Sequence, residues 1–433
     1  MATTLQNAMT LLSQQIGDYW ESTTTGTGST VTVVDSALLA KPNDWITDVT
    51  YDFVTSGTNT GEERKVSTSS LLTAGTYIVG THGTTTFSGI TYQLHRLFQP
   101  SEKRRALITA AKNIYPDLYQ EIWEDSLVSG NWLKDGSFET WTTSTNLTYW
   151  TETTVTVTGV ATSSYIRSGG LTSARLTTAA GSLSQGITDY ADLQLLRGKN
   201  VTFTSQGWCN VGSCLRLSIN DGSTQTYSEY HNGGTTWTED NPRNDNFYVT
   251  QNIDPNATQV TFAIHHDVAA GTSYVDDARV ISGSRGKTYV AYVGFAQNIP
   301  PSVYIEPSQY STEEDWIPIH DYEVDNNGYL YIPTSHPADY RLRMRGAGYL
   351  DFTSSGTSST AWSSTIALNS PQTEVLIAEA AVYLYTWMSL PNYETGTRKD
   401  YQQMLMYWQG EADRRRKKFS MPLRSITNSW GME

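Results

Sequence analysis

The chain has 433 residues, of which 38% are hydrophobic, 17% charged and 12% aromatic. This composition excludes a disordered chain, and the length predicts two or three domains. The net charge of −14 excludes a general nucleic-acid binder, because affinity for phosphates comes largely from Lys and Arg. Thr, Val, Tyr and Trp favour strands, so β structure should dominate.

The first part of the chain, residues 1–129, predicts helices around a small β region. Apolar residues at Leu5, Met9, Leu12 and Ile16 mark one helix face, with Thr3 or Thr4 as its cap. Strands are expected at 30–34, 77–79 and 92–94. A helix should begin at Pro100–Ser101 and be broken by Pro116, and a second short helix should reach Leu127.

From Asn131 to Gly283 the sequence is typical of many short strands separated by turns. Residues 153–158 alternate strictly, which predicts one strand. Asn220-Asp221-Gly222 and Asn232-Gly233-Gly234 favour hairpins. Regular strands and turns of this kind predict a β-sandwich.

After Gly286 further strands are expected at 289–293, 322–324 and 329–332, with a hairpin at Asn326-Asn327-Gly328. Residues 340–345 alternate and give the strand one basic face. Two helices should end the chain, one beginning near Pro371 and one spanning about 398–419.

The middle segment resembles the jelly-roll carbohydrate-binding modules of polysaccharide-degrading enzymes. The resemblance lies in the opening Asn131-Trp132-Leu133-Lys134-Asp135-Gly136-Ser137-Phe138-Glu139 and the closing Ser273-Tyr274-Val275-Asp276-Asp277-Ala278-Arg279-Val280. It implies that the first and last strands pair beside a structural calcium. Carried over to this chain, Glu139 and Asp276 are the candidate ligands. The alternative is two surface carboxylates at strand ends.

The resemblance also makes four residues candidates for carbohydrate binding: Trp208, Tyr230, Trp237 and His266. The aromatic side chains could stack on sugar rings, although an aromatic residue in a β-sandwich is more often part of the core. His265 and His266 should face opposite sides of a strand, so a shared metal is not expected, but one of them could face a sugar.

The two flanks resemble a head–tail connector protein of tailed bacteriophages. This resemblance lies in Gly61-Glu62-Glu63-Arg64-Lys65-Val66, Tyr92-Gln93-Leu94-His95, Tyr340-Arg341-Leu342-Arg343-Met344-Arg345-Gly346 and the Ala-rich Ile377-Ala378-Glu379-Ala380-Ala381. The expected fold is therefore mainly β with α: a split α+β connector domain at 1–129 and 285–433, with an inserted jelly-roll sandwich at 130–284.

No enzymatic motif is complete in the sequence. Residues 283–288 end like a phosphate-binding loop, but Ile281 stands where its first glycine is required. Glu313-Glu314-Asp315 is typical of a solvated turn. Cys209 and Cys214 frame a turn and favour free thiols over a disulfide in a reducing compartment. We therefore expect no enzymatic activity and no required cofactor, apart from the candidate calcium.

The basic run Arg414-Arg415-Arg416-Lys417-Lys418 leaves two hypotheses open. It could be a solvated helix end, where cations interact favourably with the helix dipole. Alternatively, it could contact an acidic neighbouring subunit or, briefly, DNA.

The main functional hypothesis is a structural virion protein, a ring-forming connector or neck subunit that joins the portal to the tail. Its partners would be copies of itself in a dodecamer, the portal, and tail or neck proteins. DNA would pass only transiently, along an acidic or neutral channel. The sandwich would face outward as a candidate binder of surface glycans.

The alternative is a phage tail-fibre or receptor-binding protein that recognises host carbohydrate. A glycoside hydrolase would need a catalytic barrel that neither flank is long enough to form. The sequence has no apolar run long enough to span a membrane and no typical signal peptide. We therefore expect no membrane partner, assembly in the host cytoplasm and a final location in the virion.

Overall fold

The computed structural model describes residues 3–67, 72–86, 88–233, 235–238, 247–282, 287–308, 315–333, 335–354, 356–390 and 398–421. The chain forms two compact units. Unit 1 contains residues 1–120 and 349–433, and unit 2 contains residues 121–348. The predicted domain boundary at 284/285 lies outside the described residues.

The α-helices of the described residues are α1 (Leu5–Gln15), α2 (Asn43–Thr47), α3 (Pro100–Asn113), α4 (Tyr190–Leu196), α5 (Thr373–Met388) and α6 (Arg398–Phe419). Short 3-10 helices lie at Ser36–Ala40, Leu72–Ala74, Ser163–Tyr165, Ala291–Val293 and Ala296–Asn298. None of the helices in the described part of the chain is long and apolar enough to cross a membrane.

The strands of unit 1 and unit 2 are, in chain order, β1 (Thr3–Thr4), β2 (Trp20–Thr23), β3 (Thr32–Val34), β4 (Tyr51–Val54), β5 (Glu63–Lys65), β6 (Thr76–Ile78), β7 (Thr91–His95), β8 (Gln120–Val128), β9 (Trp141–Thr143), β10 (Asn146–Leu147), β11 (Thr151–Thr153), β12 (Thr156–Val160), β13 (Ser173–Thr177), β14 (Gly181–Ile187), β15 (Asn200–Cys209), β16 (Leu215–Asn220), β17 (Gln225–Tyr227), β18 (Thr236–Trp237), β19 (Tyr248–Asn252), β20 (Val260–His266), β21 (Ser273–Ile281), β22 (Lys287–Tyr289), β23 (Ser302–Ile305), β24 (Ile317–Ile319), β25 (Glu323–Val324), β26 (Tyr329–Tyr331), β27 (Arg341–Gly348), β28 (Thr353–Ser354), β29 (Thr357–Ser358) and β30 (Thr365–Ile366).

Unit 1 joins the two ends of the chain around a helical core. The apolar faces of α1, α3, α5 and α6 pack together, with Leu12, Leu107 and Leu384 buried among them. The Thr4 side chain accepts a hydrogen bond from the Asn7 N–H and caps α1. Two four-stranded sheets, β2-β7-β4-β5 and β1-β30-β28-β29, and the two-stranded sheet β3-β6 complete the unit. The helices predicted near both chain ends are confirmed.

Most of unit 2 is a β-sandwich. One sheet has the order β12-β13-β21-β15-β18, with β19 also paired to β15, and the other has the order β11-β14-β20-β16-β17. Apolar side chains from alternate positions fill the space between the sheets, and the rings of Phe203 and Phe262 meet there with centroids 5.8 Å apart. The chain is thus mainly β with α-helices, as predicted.

The opening and closing segments of the sandwich lie side by side. Trp132 N donates to Val280 O at 3.0 Å, and the Asn131 side chain bonds both Ala278 O and Val280 N at 2.9 Å. The remainder of unit 2 contains a sheet in the order β24-β23-β27-β8 and a three-stranded sheet, β22-β26-β25.

Three predicted elements were wrong. The helix expected before Leu127 is β8, because pairing with β27 supplies the hydrogen bonds of its backbone. The strand expected at 153–158 is interrupted at Thr154, which has a φ of +64°. The strand expected at 289–293 ends at Tyr289, and a 3-10 helix follows at Ala291–Val293.

The basic run at the end of α6 is partly neutralised within unit 1. Arg415 lies 2.9 Å from Glu374, and Arg416 lies 2.8 Å from Glu379, both on α5. Arg414 pairs with Glu411 one turn away on α6. The Arg415–Glu374 and Arg416–Glu379 pairs fasten α6 to α5, and the structure tests neither a partner subunit nor DNA as a further contact.

Candidate functional site

The outer surface of the five-stranded sheet is polar. Along β16 the side chains of Leu215, Leu217 and Ile219 enter the core, so Arg216, Ser218 and Asn220 lie on the outer side of the sheet, where Ser218 is itself fully buried. The same alternation on β20 buries Phe262 and Ile264. The outward side chains therefore form a polar grid, here called the five-stranded face.

Strand register aligns this grid in three rows. The rows are Thr153–Ser182–His265–Arg216, Thr151–Ser184–Ala263–Ser218–Tyr227 and Gly186–Thr261–Asn220–Gln225. Hydroxyl and amide groups thus repeat across neighbouring strands, with an aromatic ring at the β17 edge.

An arginine holds two tyrosines at this edge. The guanidinium carbon of Arg216 lies 4.1 Å from the ring centre of Tyr227 and 4.8 Å from that of Tyr230. Arg216 Nε lies 2.7 Å from an Asp267 carboxylate oxygen, to which the Tyr230 hydroxyl donates at 2.9 Å. Tyr227 and Tyr230 remain 42% and 41% exposed. Two positioned aromatic surfaces are therefore open to solvent.

His265 lies beside this group on the same face. Its Nε2 is 2.8 Å from the Ser218 hydroxyl, and its ring centre is 5.5 Å from that of Tyr227. Burial, together with the nearby Arg216, lowers the pKa of His265 below its usual 6.5. The imidazole is therefore neutral at pH 7 and offers hydrogen bonds rather than charge.

Of the four candidate carbohydrate-binding residues, Tyr230 alone is part of the five-stranded face. Trp208 and Trp237 are cross-strand neighbours on the outer surface of the other sheet. There Tyr165 stacks on Tyr274 at 3.8 Å, and the Trp237 indole donates to Ser164 O at 3.1 Å. We call Tyr165, Trp208, Trp237 and Tyr274 the six-stranded face. Because the turn at 163–165 packs on it, both tryptophans are only partly exposed.

The candidate His266 is corrected by the structure, because its side chain is fully buried. Its Nδ1 lies 3.0 Å from the Ser273 hydroxyl and 3.4 Å from Cys214 Sγ. His265, the preceding residue, has the outward position that was expected of one histidine. Cys209 and Cys214 are both buried and free.

Arg216, Tyr227, His265 and Asp267 were not predicted as site residues. The strict alternation of Leu215, Leu217 and Ile219 with polar residues was visible in the sequence and could have placed Arg216 and Ser218 outward. The contact of Tyr230 with Arg216 and Asp267 depends on how a loop folds back across two strands. No sequence pattern gives that contact.

The candidate calcium ligands both accept backbone hydrogen bonds from one loop. Asp276 Oδ2 accepts from Arg167 N at 2.5 Å and Ser168 N at 2.8 Å. Glu139 Oε1 accepts from Leu171 N at 2.8 Å and Thr172 N at 3.1 Å. The two carboxylates therefore fasten loop 167–172 to the sandwich.

Burial dominates the electrostatics of these carboxylates. It raises the pKa of Asp276 to about 8, and it raises the pKa of Glu139 to about 7 with help from the nearby carboxylates of Glu124 and Asp135. Within the described ranges no three His, Cys, Asp or Glu side chains are grouped as a metal site. The structural calcium stays a prediction, and the hydrogen bonds to the loop are an alternative role for both residues.

Comparison with known proteins gives structural neighbours only. No protein-family model and no curated protein match the sequence. The carbohydrate-binding module TmCBM61, solved with beta-1,4-galactotriose, is 16% identical over 35% of this chain and 98% of its own, with a TM-score of 0.26. The CBM22-1 xylan-binding domain of Paenibacillus barcinonensis Xyn10C is 14% identical over 37% and 96%, with a TM-score of 0.26.

A third neighbour is the enzymatically active domain of tailspike protein 4 from bacteriophage CBA120. It is 16% identical over 36% of this chain and 21% of its own length, with a TM-score of 0.25. This chain thus spans about a fifth of that tailspike chain. At TM-scores this low, the likenesses do not support a function for this chain.

Proposed function

We propose that this protein binds carbohydrate without modifying it, and that the five-stranded face receives the sugar. The observation that carries the proposal is the pair of exposed tyrosines held by Arg216 beside rows of hydroxyl and amide groups. Sugar rings present apolar C–H faces and a rim of hydroxyls. An aromatic platform with nearby polar groups matches both features.

The site is well prepared for an uncharged ligand. Asp267 compensates the charge of Arg216, and the pKa of His265 keeps its ring neutral at pH 7. Each of these groups still offers donors or acceptors at the edge of the face. Because Arg216 contacts both rings, the tyrosines lose little freedom when a ligand binds.

The absence of catalysis is part of the proposal. Glycoside hydrolysis ordinarily uses two carboxyl groups on either side of the bond that is cleaved. Among the residues that define the five-stranded face and the group around Arg216, Asp267 is the single carboxylate, and it already forms an ion pair with Arg216 and accepts a hydrogen bond from Tyr230.

Recognition of host carbohydrate by a phage tail or receptor-binding protein fits this face better than a connector role. In a connector, glycan binding by an outward sandwich would be secondary to joining the portal and the tail, whereas in a receptor-binding protein it is the main role. Nothing in the described residues supports a ring or a portal contact, so both stay predictions, together with the virion location. Negative-stain microscopy separates the roles, because a connector forms a ring and a fibre protein an elongated trimer.

Native electrophoresis of the full chain through gels that contain soluble galactan, xylan, glucan or mannan tests carbohydrate binding. We expect at least one neutral polysaccharide to retard the wild type. Tyr230→Ala should lose the retardation. Tyr190→Ala is a matched control, since Tyr190 is 70% exposed and also lies near an arginine, with Arg197 5.5 Å from its ring. Equal retardation of both variants would exclude the five-stranded face as the binding site.

A further inference from the structure

A second surface of unit 2 combines arginines with tryptophans outside the sandwich. On β27 the side chains of Leu342 and Met344 are buried, so Arg341, Arg343 and Arg345 share the outer face of the sheet. This is the basic face that the alternation of residues 340–345 predicts.

Two indole rings lie on the same face. The guanidinium carbon of Arg345 is 3.3 Å from the ring centre of Trp123, on β8, and that of Arg343 is 4.2 Å from the ring centre of Trp316. Trp123 remains 49% exposed. Contact with an indole ring restricts the movement of each guanidinium. We call Trp123, Trp316, Arg343 and Arg345 the arginine–tryptophan face.

The charges on this face are unequally balanced. Arg343 makes a two-point contact with the Asp125 carboxylate at 3.0 and 3.1 Å, and Arg341 Nε lies 2.9 Å from Glu306. Arg345 has no carboxylate or hydrogen-bond partner among the described residues, and its Nε is buried. Among the described residues, one cation is thus left without a carboxylate beside an exposed indole.

We propose that the arginine–tryptophan face binds a carboxylate-bearing sugar residue, a uronic acid unit within a glycan. The sugar ring packs on the exposed part of Trp123, and the carboxylate pairs with the terminal nitrogens of Arg345. Planar guanidinium and planar carboxylate match in shape as well as charge. This site lies on a different sheet from the five-stranded face and does not depend on it.

The number of free charges favours an acidic sugar over a nucleic acid. Binding to a phosphate backbone gains affinity from several cations that each neutralise a phosphate. Here two of the three arginines are already paired with carboxylates, and the whole chain carries −14. Within the described part of this face, one guanidinium without a carboxylate lies next to one exposed aromatic ring, which suits one carboxylate on one sugar ring.

Titration calorimetry of the full chain with polygalacturonate tests the proposal. Its methyl-esterified form is the matched ligand, since esterification removes the charge and keeps the sugar backbone. We expect the acidic polymer to bind about tenfold more tightly than the ester, and the affinity to fall as salt is added. Arg345→Gln and Trp123→Ala should each lose about tenfold for the acidic polymer. Lys417→Gln, which removes an exposed charge in unit 1, should bind like the wild type.

Several outcomes would overturn the proposal. Polygalacturonate could fail to bind, or the acid and ester could bind equally. Equal weakening by Lys417→Gln would show nonspecific charge attraction. Displacement of polygalacturonate by a single-stranded oligonucleotide, lost in Arg345→Gln, would assign the face to nucleic acid. Tyr190→Ala removes an exposed aromatic ring outside the arginine–tryptophan face, so it should leave binding of the acidic polymer unchanged.

Discussion

His265 and His266 are consecutive on β20, yet their imidazoles lie on opposite sides of the five-stranded sheet. His265 Nε2 bonds the Ser218 hydroxyl at 2.8 Å on the outer face, whereas His266 Nδ1 contacts Ser273 at 3.0 Å inside the sandwich. Because successive side chains of a strand point to opposite faces, His265 lies on the candidate ligand surface and His266 lies in the core.

Alanine variants of the two histidines should separate binding from stability. His266→Ala removes a fully buried ring that contacts Ser273 and Cys214, so we expect a loss of about 1–3 kcal/mol in the free energy of unfolding. His265→Ala should change stability by less than about 1 kcal/mol and weaken binding of the retarding polysaccharide. Urea unfolding and titration calorimetry measure the two effects. The opposite pattern would mean that His266 acts at the ligand surface.

The loop at 167–172 should depend on the carboxylates that hold it. Asp276→Ala leaves Arg167 N and Ser168 N without their acceptor, and we expect a cost of about 1–3 kcal/mol. Asp276→Asn keeps the size and one acceptor oxygen, so its cost should be smaller. Thermal unfolding of the full chain compares the two variants, and equal melting temperatures for Asp276→Ala and the wild type would contradict this role.

The predicted calcium site can be tested separately with a chelator. If an ion binds at Glu139 and Asp276, a chelator should lower the melting temperature of the wild type and leave Asp276→Ala unchanged. If the chelator leaves the melting temperature of the wild type unchanged, no structural calcium binds there. The role of both residues is then to hold loop 167–172 by hydrogen bonds.

Unit 1 should lose stability as the pH rises above neutral. His82 Nε2 lies 3.2 Å from Asp52, and its Nδ1 lies 2.8 Å from Glu62. Burial alone would lower the pKa of His82, but the neighbouring carboxylates of Asp52 and Glu62 raise it above 6.5. A raised pKa contributes stability that is fully present below about pH 6.5 and is lost as the pH rises through the folded-state value.

Chemical unfolding of the wild type and His82→Gln at about pH 6 and about pH 9 measures this contribution. The variant lacks the titrating group, so the stability difference between the two proteins should shrink toward the higher pH. A difference that stays constant or grows would show that His82 is not charged in the folded state.

The predicted autonomy of the sandwich is open to test by two fragments. In unit 2 the Tyr149 ring lies 5.5 Å from that of Tyr289, and Lys287 pairs with Asp192 at 3.2 Å. A fragment of residues 131–283 lacks Tyr289 and Lys287 and so loses both contacts, whereas a fragment of residues 121–348 retains them. We expect the longer fragment to melt at the higher temperature. Equal melting temperatures would favour an autonomous insertion, and an unfolded short fragment would refute it.

Many helices and hairpins could be predicted from the sequence, because local patterns of apolar and turn residues determine them. The spacing of Leu5, Met9 and Leu12 gave α1, and Asn220-Asp221-Gly222 gave the hairpin between β16 and β17. β8 was mistaken for a helix because its strand pairing is with β27, far away in the chain. Long-range pairing of this kind leaves no local periodicity to detect.

The site was harder to predict for the same reason. Aromatic residues were recognisable, but their place in the fold was not, so Trp208 and Tyr230 were grouped although Trp208 lies on the six-stranded sheet and Tyr230 in a loop beside the five-stranded sheet. Arg216 and Asp267 hold the tyrosines in place through contacts between β16, the residue that follows β20, and the loop of Tyr230. Such a role follows from register and loop geometry, which residue types alone do not specify.

Hydroxyl-radical footprinting of the full chain, with and without the retarding polysaccharide, identifies the binding face, because it reports the exposure of individual side chains. Binding at the five-stranded face should lower the oxidation of Tyr227 and Tyr230, which are 42% and 41% exposed without ligand, and leave that of Tyr190, at 70%, unchanged. Protection of Trp208 and Trp237 with Tyr227 and Tyr230 unchanged would contradict it and assign carbohydrate binding to the six-stranded face.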